Sequence, residues 1–318
     1  MQRRNFIKTT GISAAGIGIA GAGLAKSSIS IKMPKRPVCA FTKCLQFLSI
    51  EESAEVLAIM GFDGADMTVR PKGQIEPGNA KAELSKAVKI YEKAGVGVPM
   101  MVTNISNAED PVSVELLKVA ADSGIKYYRL GYLKYDHKNT IQQNLDIYKR
   151  QLEQLAKLNE KLGIHGGYQN HSGINIGAPV WDLYELVKDV NPEHFGIQYD
   201  IRHAIVEGAY SWKLGMKRVE PWIRTLCIKD FIWLQNEKRV WQLQNVLLGD
   251  GMVKFDEFLK EYKTLDVEAP ISIHYEYDLG GAQHGDRETT MEPEKIYTFM
   301  KKDLDWLRNK MKKHQIEL

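Results

Sequence analysis

From residue 35 onward, short apolar segments with a period of two alternate with longer segments whose apolar residues recur every three or four positions. The pattern predicts strands over 35–41, 63–69, 96–102, 126–130, 162–169, 195–200, 224–229 and 270–277. It predicts helices over 50–60, 80–94, 111–123, 140–162, 179–190, 204–220, 255–263 and 293–312. Gly61, Gly95 and Gly124 stand where the first three helices should stop, and Asp110-Pro111 where the third should start. The longest helical pattern carries Leu145, Tyr148, Leu152, Leu155, Leu158 and Leu162 on one stripe, as a helix lying on a sheet requires. Eight strand–helix units in one chain predict an α/β protein whose strands close into a (β/α)8 barrel rather than an open doubly wound sheet. No G-x-G-x-x-G follows a strand, so no nucleotide cofactor is expected.

The regular alternation fails at two places. After the seventh strand, residues 230–251 form an aromatic-rich insertion with Trp233 and Trp241 about a hairpin's length apart. At the amino terminus, Arg3-Arg4-Asn5-Phe6-Ile7-Lys8 precedes a charge-free run rich in glycine and alanine, 12–24. Residues 1–25 therefore read as an export signal of the twin-arginine type, which places the mature domain, 26–318, in the periplasm. The alternative, an uncleaved anchor, is disfavoured because the run is shorter than the ~18 residues of a spanning helix.

Charge and cysteine content narrow the class. The 318 residues include 43 basic and 40 acidic side chains, and the signal carries Arg3, Arg4 and Lys8 but no acid. The mature chain is therefore neutral, which argues against a nucleic-acid partner. Cys39, Cys44 and Cys227 form no C-x-x-C pair and allow at most one disulfide.

Candidate chemistry gathers on the late strands. Gly166 to Gly173, Gly-Gly-Tyr-Gln-Asn-His-Ser-Gly, reads as a buried strand end running into a polar loop. By strand parity, Ile164, Tyr168, Ile197, Tyr199, Leu226, Ile228, Ile271, Ile273 and Tyr275 face outward. Gln169, Asp200, Cys227, Lys229, His274 and Glu276 then face the barrel mouth, where such folds place their active sites.

Several stretches carry a family resemblance: Gly61-Phe62-Asp63-Gly64-Ala65-Asp66, Tyr168-Gln169-Asn170-His171, Tyr199-Asp200-Ile201-Arg202-His203-Ala204, Cys227-Ile228-Lys229-Asp230, Leu248-Gly249-Asp250-Gly251 and Ile271-Ser272-Ile273-His274-Tyr275-Glu276. The sequence resembles the sugar phosphate isomerase/epimerase family of xylose isomerase-like TIM barrels over essentially everything after the signal. The resemblance implies a carbohydrate substrate and one divalent ion held by glutamate, aspartate, histidine and glutamate from the last four strands. This chain keeps only Asp200 of those four, with Gln169, Cys227 and His274 at the other positions. These four residues remain candidate ligands for manganese, zinc or magnesium, though a set this poor in carboxylates should hold a hard ion weakly.

Lys229 is a candidate fixed cation for stabilising an enolate-like intermediate, and Glu276 and His171 are candidate proton carriers. Arg129, Asn170, His203, Trp233 and Trp241 are candidates for holding the sugar. Plainer readings exist: Gln169 as a hydrogen-bonded plug, Cys227 as apolar filler, Lys229 as counter-charge for Asp200 or Glu276. The expected activity is isomerisation or epimerisation by moving a proton next to a sugar carbonyl. The rivals are a lyase or hydratase acting on a keto-sugar or keto-glycoside, and a non-catalytic periplasmic sugar-binding protein. A homo-oligomer is compatible with all three.

Overall fold

The computed structural model describes residues 33–265 and 267–317, so the amino-terminal export pattern lies outside the described residues. Seven parallel strands come first: β1 (Val38–Phe41), β2 (Gly64–Thr68), β3 (Gly97–Val102), β4 (Tyr127–Arg129), β5 (His165–Gln169), β6 (Phe195–Asp200) and β7 (Ile223–Ile228). An antiparallel hairpin follows, β8 (Asp230–Gln235) and β9 (Trp241–Val246), and then β10 (Ile271–Ile273). Apart from the hairpin these strands close a barrel in the order β1-β10-β7-β6-β5-β4-β3-β2, with β10 joined to β1 through Val38 opposite Ile271 and Ala40 opposite Ile273. The predicted (β/α)8 TIM barrel with an insertion after its seventh strand is the architecture observed.

The wrapping helices are α1 (Ile50–Met60), α2 (Ala80–Lys93), α3 (Pro111–Asp122), α4 (Ile141–Leu162), α5 (Val180–Val187), α6 (Ile201–Gly208), α7 (Trp212–Val219), α8 (Phe255–Thr264) and α9 (Pro293–Lys313). Ser49 and Thr140 start α1 and α4 with reciprocal capping boxes. Every residue assigned outward on the late strands is buried in one apolar core with Leu152, Leu155, Leu183, Met216 and Leu304 of the helices. Gly166 is needed there: a Cβ would lie 2.8 Å from the Tyr128 hydroxyl, which donates to Asn159 Oδ1 at 3.0 Å and ties α4 to the sheet. No helix among the described residues is long and apolar enough to cross a membrane.

Among the boundaries that differ from the sequence reading, three have a local reason. The segment read as one helix over 204–220 is two, α6 and α7, broken at Ala209, whose φ of 41° leaves the helical region. The first of them starts at Ile201 rather than residue 204, because the Asp200 carboxylate accepts the His203 N–H at 3.0 Å and caps it straight from the strand. The last strand is also shorter than 270–277. After Ile273 one more ladder bond forms, from His274 N–H to Ile228 O at 3.0 Å, and the chain then lifts Glu276 over the mouth.

Candidate active site

Lys229 follows β7 directly and its ammonium lies 3.2 Å from Asp200 Oδ2, at the end of β6, and 3.2 Å from Glu276 Oε1, beyond β10. The side chain is 2% exposed. Burial works to lower its pKa, but the Asp200 and Glu276 carboxylates outweigh that and hold it above the ordinary lysine value. Two such contacts, each on the order of a few kcal/mol at intermediate dielectric, offset the several kcal/mol that burying one ammonium costs. Burial likewise works to raise the Glu276 carboxyl, and Lys229 with Lys43 reverses this and holds it below the carboxylate range. The centre of the site is therefore a charged Lys229 ammonium between the side chains of Asp200 and Glu276.

Gln169 anchors one side of it. Its Oε1 accepts from Arg129 Nη1 at 2.8 Å and from the Tyr132 hydroxyl at 2.9 Å, and its Nε2 donates to Asp200 Oδ2 at 2.7 Å. These partners fix the orientation of the amide and use both of its ends. Asn170, a candidate for holding the sugar, does not present its amide to the barrel mouth. It is 0% exposed, accepts the Asp200 N–H at 2.8 Å and donates to the Asp200 carbonyl at 2.9 Å, so it staples β5 to β6.

The hydrogen bonds also assign two histidine tautomers. His171 Nδ1 lies 3.0 Å from the Ser172 carbonyl, which can only accept, so Nδ1 carries the proton and Nε2 keeps its lone pair. His203 is the reverse. Its Nδ1 is met by Arg202 Nη1 at 2.8 Å, the Ser172 N–H at 3.1 Å and the Ser172 hydroxyl at 2.7 Å, so Nε2 carries the proton, 3.6 Å from Asp200 Oδ2. The two rings lie 4.0 Å apart. Burial and the nearby Lys229 charge lower both pKa values, which leaves both imidazoles neutral at pH 7.

His274 sits deeper, stacked 4.2 Å from the Phe41 ring, with Nε2 3.7 Å from Asp66 Oδ2. Asp66 accepts the Ser272 hydroxyl at 2.7 Å, and burial pushes its carboxyl up to about 6 against the pull of that bond. Arg202 donates from Nη2 to Asn245 Oδ1 at 2.7 Å, and Asn245 donates to the Glu276 carbonyl at 3.3 Å, tying the hairpin to the mouth. Trp233 and Trp241 share that hairpin face by register and are 40% and 62% exposed. Trp233 lines a cavity of about 500 Å³ with Phe231, Tyr210, Trp212 and Met252, while Trp241 stands toward the hairpin's free end.

Lys43, Tyr132, Asn245 and Phe41 also belong to this neighbourhood and were not singled out from sequence. They arrive from loops and early strands with no parity relation to the late ones. Asp66 was visible only as part of a resembling stretch.

The four candidate metal ligands do not form a metal site. Gln169 spends both ends of its amide on protein partners, and Cys227 is 0% exposed with its thiol raised well above the ordinary range by burial, so no thiolate is available. His274 is turned toward Asp66, and the two carboxylates at the centre share Lys229. Among the described residues, no three His, Cys, Asp or Glu side chains are placed to hold a metal ion.

Known proteins share this scaffold. The D-allulose 3-epimerase from Methylomonas sp., solved with D-allulose, superposes with a TM-score of 0.64 at 14% identity, covering 87% of this chain and 98% of its own. The probable 3-DHS dehydratase AsbF from Bacillus anthracis superposes with a TM-score of 0.63 at 14% identity, covering 86% and 98%. At these identities the likeness is one of fold. An uncharacterized protein of Methanocaldococcus jannaschii is 23% identical over 236 residues, 71% of this chain and 78% of its own. The model of the xylose isomerase-like TIM barrel family matches residues 54–310, from the first helix to the last, and the chain belongs to that family.

Proposed function

We propose that this protein moves a proton on the carbon next to the carbonyl of a sugar, so as to isomerise or epimerise it. Removing that proton places negative charge on the carbonyl oxygen, and a site that stabilises it needs a fixed cation beside a base. The observation that carries this reading is a buried Lys229 ammonium held between two carboxylates, whose charge bears on a half-buried His171 with its Nε2 lone pair left open by its tautomer.

In this reading His171 Nε2 takes the proton and Lys229 stabilises the oxygen that becomes negative. Glu276 and Asp200 hold the ammonium in place and keep it charged. An amine so paired is not a free nucleophile, so Lys229 acts by charge rather than by adding to the carbonyl. Lys43, Arg129 and Arg202 add further positive potential around Asp200, Gln169 and Glu276, which favours an anionic intermediate. Trp233 offers an aromatic face to a sugar ring. The export pattern at the amino terminus favours a periplasmic substrate that is free, oxidised or glycosidically linked over a sugar phosphate.

The test is incubation of the protein with 2-keto and 3-keto sugars and their glycosides in heavy water, followed by NMR. Deuterium entering next to the carbonyl with every linkage retained supports the isomerase or epimerase. Loss of water or of an aglycone transfers the same proton step to a hydratase or lyase. Binding without exchange leaves a sugar-binding protein and ends the catalytic reading.

A further inference from the structure

We infer that Lys229 is a built-in replacement for the divalent ion of related barrels, and that this one side chain keeps such an ion out. The inference concerns the site just described but does not depend on the reaction performed there. The ammonium lies between the Asp200 and Glu276 carboxylates at 3.2 Å from each, and at 2% exposure it has no room to swing into solvent. A divalent ion bound through one or two carboxylates and several waters would need those same two oxygens. With Lys229 in place, the ion would meet a like charge at contact distance, and both carboxylates it needs are already taken by the ammonium. Gln169 cannot compensate, because Arg129 and Tyr132 hold its oxygen and Asp200 its nitrogen.

Deleting the lysine head reverses each of these conditions. In Lys229→Ala the two carboxylates face a space that held three methylenes and an ammonium, with no cation between them. Two oxygens and entering water are the donor set that manganese or magnesium accepts. A small primary ammonium ion fits the same space.

Two measurements decide the matter, and neither reads turnover. Wild-type protein purified without chelator should contain far less than one equivalent of manganese, zinc, iron or magnesium by elemental analysis, and neither EDTA nor added manganese should change its melting temperature. Lys229→Ala should bind one manganese ion at least ~10-fold more tightly than wild type, measured by loss of the free-ion electron paramagnetic resonance signal. It should melt several degrees higher with manganese, as binding to the folded state requires. Adding Asp200→Asn should abolish that uptake.

Wild-type protein that carries about one equivalent of metal, or melts lower with EDTA, would overturn the replacement whether or not the variant folds. A folded Lys229→Ala protein that takes up no manganese would overturn it as well. A metal-free wild type that exchanges no proton with any keto-sugar would instead remove the proposed function and leave this inference standing.

Discussion

Two buried carboxylates stand at neighbouring strand ends, Asp200 closing β6 and Asp230 opening β8, and they are satisfied in opposite ways. Asp230 is held almost wholly by backbone. Its Oδ1 accepts the N–H groups of Phe231 and Val253 at 2.8 and 3.0 Å, and its Oδ2 those of Gly249 and Gly251 at 3.0 Å each. Asp200 is held mainly by side chains, Lys229 and Gln169, with one backbone N–H from His203. Main-chain donors cannot move without moving the loop, so Asp230 is an anchor for residues 249–253. Side-chain donors can exchange partners with a ligand, so of the two Asp200 is the candidate for a site. The two are alike in burial and differ in the identity of their donors, and that difference is what makes Asp200 and not Asp230 the candidate.

The largest expected effect lies on the Asp200 side. Lys229→Met should lower kcat about 10²–10³-fold, the usual loss for one removed charge or donor at a developing oxyanion, while the melting temperature moves far less than activity. Retention of full turnover on a substrate identified by proton exchange would separate the ammonium from catalysis and make the two carboxylates alike. On the other side, Asp230→Ala should leave several buried N–H groups unpaired and cost about 3–5 kcal/mol, read as a drop in denaturation midpoint. A loss near zero would show that the loop does not need its anchor.

A third carboxylate sharpens the contrast through pH. Asp303 accepts the Leu248 N–H at 2.9 Å and the Tyr277 hydroxyl at 2.9 Å, and burial pushes its carboxyl up from 3.8 to about 7. With the folded value above the unfolded one, its stabilising contribution is complete below about pH 4 and is lost as pH rises through 7. Wild type should therefore lose stability between pH 5 and pH 8 relative to Asp303→Asn, by parallel urea titrations. Equal pH dependence in the two proteins would show that Asp303 does not titrate in that window.

His171 should behave oppositely. Burial lowers its pKa below 6.5, so kcat/KM should stay level from pH 8 to 6.5 and fall only below that range. The acid limb should vanish in the residual activity of His171→Gln. The smallest effect should be that of Trp233→Ala, which removes an aromatic surface worth about 1 kcal/mol and should raise KM several-fold with kcat retained.

Much of the site was legible because strand parity is local. Gln169 and Asp200 on their strands, and Lys229 and His274 one residue beyond theirs, each sit an even number of residues from other inward positions, and no tertiary knowledge was needed to place them inside. Asn170 was a candidate from its place in a polar loop and not from parity, which puts it on the side of Tyr168; its amide returns to the Asp200 backbone. Cys227 shows the limit of parity: inward facing was inferable, but the depth that keeps its thiol protonated was not.

The order of apolar and polar residues by itself determined eight strand–helix units, the interruption after the seventh strand and the side of each strand that faces inward. Those properties depend on neighbours two to four positions away. Only the closed barrel decided that Lys229 meets Asp200 and Glu276 and that Arg129 and Tyr132 occupy Gln169. Those contacts join strand ends and loops far apart in the chain, and their distances follow from how the strands are staggered around the barrel, a quantity no single strand encodes.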